Sequence, residues 1–356
     1  MDNGKVVFCS ELGGVKERAW SGTNYSIFKA LSKRFEIEEI ELKTPKLVSK
    51  LIGKLGIDWF TREFILSKVR RNKHISTGTI FQFGEVFHDS PTVQTYIYQD
   101  LSVSYVKYMK DQLHDVFEVS AYQNAPSKII DKRAEYQNHY YKTCAGIFTM
   151  GAWLRNFLIS QGVPKEKVHA VGAGINVKKE LIHPKKKTCS KILFVGRDFK
   201  RKGGHITYNA FKLLREKGED VELYVSGPRH NPIKNGIDGY HFLGDLDYSQ
   251  VADLYNECDI FCMPSYFEAY GLVFIEALSY GLPCIGRDCY EMPYFIDDGV
   301  TGSLLKNDNP EELAGLMHKL LHDDQIKKNV ASKREYYLEK YSWDKVAERM
   351  EKMIKK

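Results

Sequence analysis

Twice along its 356 residues the chain passes through a series of short β-branched or aromatic stretches separated by amphipathic ones. The first series comprises residues 5–10, 36–42, 79–83, 93–99, 146–149 and 168–171. The second comprises 191–196, 221–227, 240–244, 260–264, 283–286 and 302–305. Helical periodicity fills most of the gaps, as in 208–217 and 311–322. Strand-length runs alternating with helices predict parallel sheets with helices on both faces. Two such series predict two doubly wound, Rossmann-like domains, which suits a chain of this length at about 100–200 residues per domain. The junction reads as 173–187, between a domain at 1–172 and one beginning at 188. From Gly172 at its edge it runs through Ala173-Gly174, Lys178-Lys179 and Pro184-Lys185-Lys186-Lys187, the charged, Pro/Gly-rich composition of a linker.

With 43% hydrophobic and 28% charged residues, the composition excludes a disordered or fibrous chain. The net charge of +6 is too mild to imply a nucleic-acid partner, and it is unevenly placed. Residues 1–175 hold 24 basic and 18 acidic side chains, whereas 176–356 hold 28 of each. Seven cysteines form no C-x-x-C pair, and several sit in apolar runs such as Ile-Phe-Cys262-Met. Free thiols in the cytoplasm are the expectation. Residues 1–8 lack the apolar core of a signal peptide, and no run of about 18 apolar residues exists to span a bilayer.

Chemistry is most legible in the segment Pro264-Ser-Tyr-Phe-Glu268-Ala-Tyr270-Gly271-Leu272-Val-Phe-Ile-Glu276-Ala-Leu-Ser-Tyr-Gly281-Leu-Pro283. A strand ends near Pro264, a loop follows, and a helix opens at Gly271 and stops at Gly281. Glu268 thus lies at the C-terminal end of a parallel strand, where doubly wound sheets bind ligands. The backbone N–H groups of Tyr270, Gly271 and Leu272 form an anion site at the helix start. Glu276 lies over one turn inside the helix, within reach of a sugar hydroxyl beside the same anion. Its apolar neighbours make an idle carboxylate there costly.

The second segment is Val195-Gly196-Arg197-Asp-Phe-Lys200-Arg201-Lys202-Gly203-Gly204, directly after the first strand of its domain. A strand, a Gly-rich basic loop and a helix make phosphate-binding architecture. Arg197 suits a forked contact with two phosphate oxygens and Lys202 a point charge. Lys200 and Arg201 read as ordinary surface cations.

Glu268 and Glu276 with seven residues between them, joined to Gly-Arg-x4-Lys-Gly about 70 residues upstream, resemble the retaining nucleotide-sugar glycosyltransferases of family 4, which have the GT-B fold. Leu243-Gly244, the run Leu254-Tyr255 to Asp259 to Pro264-Ser265, the turn Asp297-Asp298-Gly299-Val-Thr-Gly302, and Tyr341-Ser342-Trp343-Asp344 extend the likeness over most of the second half. The resemblance implies two Rossmann-like domains facing across a cleft, with nucleotide-sugar binding in 188–340 and a final helix in 341–356 crossing back to the first domain through Met350 and Ile354. It also implies that Arg197 and Lys202 bind the donor diphosphate and Glu276 the ribose hydroxyls. Glu268 contacts the transferred sugar, assisted by the Tyr270–Leu272 amides. By the same resemblance, retention is expected by front-face attack, with no metal and no cofactor beyond the donor; Asp245-Leu-Asp247 then reads as a loop before a helix at 249–256, not as a metal-binding Asp-x-Asp. The acceptor is a saccharide or a lipid-linked hydroxyl. A GT-B sugar phosphorylase and a non-catalytic sugar- or nucleotide-binding protein are the alternatives. A dehydrogenase is disfavoured, because Gly172-Ala-Gly174-Ile-Asn-Val177 lacks the third glycine of its fingerprint.

The first domain is less legible. The family carries a Gly-rich loop after its first strand; Gly13, Gly14, Gly22 and Thr23 qualify, with Gly22 and Thr23 preferred at a helix start. Asp100, ending the strand 93–99, matches a position near the transferred sugar, although a helix cap is an equal reading; His88 and Asp89 are its rivals. Gly151-Ala152-Trp153 stands where the family often has Ser-Glu-Trp. Residues 46–73 carry eight basic side chains against two acidic, interleaved with leucines and aromatics. They read either as a surface for anionic membrane or as a helix packed on the sheet with a solvated basic face. That segment alone equals the excess charge of the first half.

Overall fold

The computed structural model describes residues 5–10, 22–41, 46–70, 78–83, 93–183 and 190–355. The chain divides into two compact units: one takes residues 1–174 and 342–356, the other 175–341. Each is built on a six-stranded sheet, and every strand pairing in both is parallel. The architecture is α/β, with two parallel sheets as expected.

In the first unit the strands are β1 (Val6–Ser10), β2 (Ile37–Glu41), β3 (Thr79–Phe83), β4 (Gln94–Gln99), β5 (Gly146–Thr149) and β6 (Val168–Ala170), in the order β2-β1-β3-β4-β5-β6. Helices on both faces remove the strands from water, so β5 is buried throughout. Aromatic side chains fill the space between strands and helices: Phe8 stacks on Phe81 with centroids 5.3 Å apart, and Tyr96 on Phe148 at 5.3 Å. Two strand-end glutamines in this core are satisfied by tyrosines of one helix, Ser127–Thr143: Gln82 by the Tyr140 hydroxyl and Gln99 by that of Tyr141.

The helix Trp343–Ile354 belongs to this unit. Ser342 caps it by accepting the Lys345 N–H. Val346, Ala347 and Met350 are buried, whereas Ile354 is half-buried. It packs on the helix Thr23–Ser32, where Lys33 pairs with Asp344 at 2.9 Å and Arg34 with Glu351 at 2.5 Å.

Residues 46–70 form two helices, Lys46–Lys54 and Trp59–Arg70; residues 71–73 of the basic segment lie outside the described ones. The break has a local cause, because Asp58 accepts both the backbone N–H and the hydroxyl of Thr61, capping a new helix. Ile52, Phe60, Phe64 and Leu66 are buried, while Leu47, Leu51, Leu55 and Trp59 face solvent. The reading of a helix packed on the sheet holds for the buried residues, and an apolar side is left exposed beside them.

In the second unit the strands are β7 (Ser190–Val195), β8 (Val221–Ser226), β9 (Tyr240–Gly244), β10 (Ile260–Cys262), β11 (Cys284–Arg287) and β12 (Gly302–Leu305), in the order β12-β11-β10-β7-β8-β9. The chain runs from β7 outward to β9, then returns to place β10 on the other side of β7. The loops leaving β7 and β10 therefore diverge from adjacent strands, which opens a crevice at their C-terminal ends.

Candidate donor site at the β7–β10 switch point

The two loops that leave this switch point are stitched together. Gly203 sits between them with φ 75°, and any Cβ there would run into the Pro264 carbonyl. A side chain would push the loops apart. The Tyr266 N–H donates to the Arg201 carbonyl at 2.9 Å. Lys202 is thereby carried over the loop of Glu268, and its Nζ donates to Glu268 Oε2 at 2.9 Å. Both side chains are largely enclosed, at 14% and 13% exposed.

Arg201 completes the cluster. Its guanidinium donates to the Phe267 carbonyl at 2.7 Å and to Asp198 at 3.1 Å, and stands 3.7 Å from Glu268 Oε2. Burial opposes charge on Glu268, but Lys202 and Arg201 outweigh it and hold the carboxyl below its usual range. Glu268 is thus an ionised carboxylate fixed between two cations.

Gly271, with φ 92°, turns the chain from this loop into the helix Leu272–Tyr280. A Cβ at Gly271 would stand 3.2 Å from the Glu268 side chain, so glycine serves both the turn and the close approach. The first turn of the helix has no side-chain cap, leaving its amides and dipole for an anion. Tyr270 is buried and packs edge-on against Phe295. One turn along, the Tyr255 hydroxyl lies 3.3 Å from Glu276 Oε2. Burial pushes the Glu276 carboxyl up to about 7, against the opposing pull of that hydroxyl and of Lys202. Two carboxylates eight residues apart are therefore pushed in opposite directions, Glu268 below the usual carboxylate range and Glu276 up to about 7.

The arginines depart from their sequence-based environments. Arg201, read as a surface cation, is 18% exposed and braces Glu268, whereas Arg197 is 82% exposed with Asp245 at 3.5 Å. Asp198, three residues before Arg201 and bonded to it, is the one sequence signal that could have marked it. Asp247 caps the helix Tyr248–Glu257 in a capping box with Gln250, which accounts for the second aspartate of the Asp-x-Asp.

In the first unit, Gly22 holds a left-handed conformation ahead of the helix Thr23–Ser32, and Thr23 is buried. Asp100 follows β4 directly and adds to the upward push on the Tyr98 phenol, which burial dominates. The helix after Asp100, Val103–Gln112, is capped by Ser102 instead, so the cap reading of Asp100 does not hold. Trp153 is buried against Tyr105, and Ala152 opens the helix Ala152–Ser160. Gly13, Gly14, His88 and Asp89 lie outside the described residues.

Residues 177–337 match the family model of glycosyl transferases group 1. A D-inositol 3-phosphate glycosyltransferase of Corynebacterium kroppenstedtii is 30% identical over 167 residues, which make up 43% of this chain and 37% of that protein. The chain thus spans little more than a third of that relative's length. The sucrose-phosphate synthase of Thermosynechococcus elongatus is similar in structure, with a TM-score of 0.69 at 16% identity over 99% of this chain and 98% of that one. Anabaena Alr3699/HepE, solved with UDP and glucose, has a TM-score of 0.64 at 12% identity over 99% of each chain. The second unit accordingly matches the glycosyl transferases group 1 model over most of its length, in a chain of GT-B fold.

Proposed function

We propose that the protein transfers a sugar from a nucleotide-diphosphate sugar to a hydroxyl acceptor, with retention and without a metal ion. The observation that carries this is the Lys202–Glu268 pair, braced by Arg201, at the head of an uncapped helix whose next turn presents Glu276. It sits at a parallel-sheet switch point inside the residues that match the glycosyl transferases group 1 model. In this reading Arg197, Lys202 and the first-turn amides of Tyr270, Gly271 and Leu272 take the diphosphate. Glu276 accepts hydrogen bonds from the ribose hydroxyls, and Glu268 orients the sugar.

The acceptor oxygen forms a bond to the anomeric carbon while the bond to the β-phosphate oxygen breaks. The acceptor's proton passes to the departing phosphate on the same face. Catalysis is then positioning together with charge stabilisation of the leaving diphosphate by Arg197 and Lys202. The UDP and glucose held by the Anabaena structure support such a donor, and the inositol-phosphate relative supports a hydroxyl acceptor. In the first unit, Gly22, Thr23 and Asp100 are further candidates for donor phosphate and sugar.

Melting the protein with UDP-, GDP-, ADP- and CMP-sugars is the direct test. One class should raise the melting temperature and be slowly hydrolysed. If none is bound or hydrolysed, the enzyme reading falls.

We also propose that the exposed face Leu47, Leu51, Leu55 and Trp59, beside Lys50 and Lys54, rests on an anionic membrane. Pelleting with anionic liposomes should be salt-sensitive and should weaken in Leu51→Glu. Equal indifference to anionic and neutral vesicles would remove this contact. Among the described residues no helix is long and apolar enough to cross a membrane.

A further inference from the structure

We propose that Glu219, His318 and His322 form a binding site for a divalent transition-metal ion, zinc first among them. His318 and His322 lie four apart on the helix Pro310–His322, so their imidazoles share a face one turn apart, with ring centroids separated by 4.6 Å. Glu219 lies in the turn between the helix Gly204–Glu216 and β8, where its N–H donates to the Leu214 carbonyl at 3.1 Å. That turn aims the carboxylate between the two rings. Oε1 stands 2.8 Å from His318 Nδ1 and Oε2 3.6 Å from His322 Nε2. One ligand atom from each residue falls within 4.8 Å of the other two.

The donor set and geometry suit zinc. Bonds of about 2.0–2.2 Å to imidazole nitrogen and carboxylate oxygen place tetrahedral ligands about 3.4 Å apart. The imidazoles are 56% and 57% exposed, so both can turn by the remaining ångström or so. The carboxylate is the enclosed partner, at 19% exposed, and its Oε2 is buried without a hydrogen bond. An ion pair of Glu219 with His318 alone would leave that oxygen unsatisfied and give the second imidazole no role. A metal ion satisfies all three groups and leaves a fourth position to water.

The site stands at the N-terminal end of β8, the opposite edge of the sheet from the Arg197–Lys202 loop. Its ion would therefore clip the helix Pro310–His322 to the turn entering β8 rather than meet the donor. This is separate from the metal-independent transfer proposed above, so each proposal can fail without the other.

The test uses the untagged full chain, stripped with EDTA and desalted. Calorimetric titration with Zn2+ should show one ion per chain. A hundredfold excess over the dissociation constant should raise the melting temperature by about 5 °C or more. His318→Gln and His322→Gln should melt within about 2 °C of the parent in EDTA, since both rings are exposed, and should lose the zinc-induced rise. Co2+ should give the visible absorption of a low-coordinate nitrogen–oxygen site. Mg2+ should have no effect, because imidazole does not suit it. Absence of zinc binding overturns the proposal. So does a titration unchanged when His318→Gln and His322→Gln are combined, which would assign the metal to thiols, or a rise with Mg2+ equal to that with Zn2+.

Discussion

The two sheets have the same number of strands and the same parallel pairing, yet they end in different chemistry. In the first unit, strand-end polar residues of β3 and β4 are neutral glutamines closed off by tyrosine hydroxyls, so each pair is complete within the core. In the second unit, the switch point between β7 and β10 holds an ionised carboxylate between Lys202 and Arg201, with an uncapped helix start beside it. Neutral pairs satisfy one another and fix packing. Enclosed charges are costly to assemble and respond to a charged ligand. The difference teaches that an enclosed polar group at a strand end fixes packing when its partner is a neutral hydroxyl and stays responsive to a ligand when its partners are charged.

The sharpest way to break this comparison is Glu268→Ala. Transfer or donor hydrolysis should fall by about 10²-fold or more in kcat with the fold retained, as for loss of a group aligned on the reacting centre. Tyr141→Phe in the first unit should leave kcat within a few-fold. A variant at Glu268 with ordinary turnover would dissolve the distinction.

Next in size is the stability of the charged cluster. Lys202→Met leaves Glu268 enclosed with Arg201 alone and should cost on the order of 3 kcal/mol in urea unfolding. The double variant Lys202→Met/Glu268→Gln should recover most of that loss. Tyr141→Phe, which orphans one neutral amide group, should cost less, about 1–2 kcal/mol.

The smallest effect is a pH slope. The Glu276 carboxyl is raised to about 7 in the folded chain, against about 4.3 when unfolded. Between those values the folded protein keeps a proton the unfolded chain has lost. The stability this lends is full below about pH 4 and is lost as pH rises through about 7. Ribose hydroxyls donate to the ionised form, so nucleotide affinity should climb with pH up to about 8, by less than tenfold per unit. Calorimetry on Glu276→Gln should show a flat profile; an unchanged slope would take Glu276 out of donor binding.

The strands were legible because β-branched and aromatic runs in a fully buried parallel sheet need no alternation, and the structure moves their ends by only one or two residues. The pair Glu268 and Glu276 was legible because both lie on one loop and helix, where spacing fixes position. Arg201 was not, because its burial arises from a contact with the loop at Phe267, 66 positions away in sequence. The break near Asp58 was missed for a smaller reason: one side-chain cap competes with a helical periodicity that continues on both sides of it. Tyr255 as the partner of Glu276 was likewise out of reach, since it comes from another helix.

The return of the helix Trp343–Ile354 to the first unit has a consequence for how the chain is made. Residues 175–341 are contiguous, so the ribosome releases that unit as one piece that can close on its own core. The first unit waits: the helix Thr23–Ser32 is synthesised before the second unit, yet the helix it packs against emerges only after the whole of it. Until then the surface destined for Val346, Ala347 and Met350 is uncovered, so the later-encoded half is the one able to mature first.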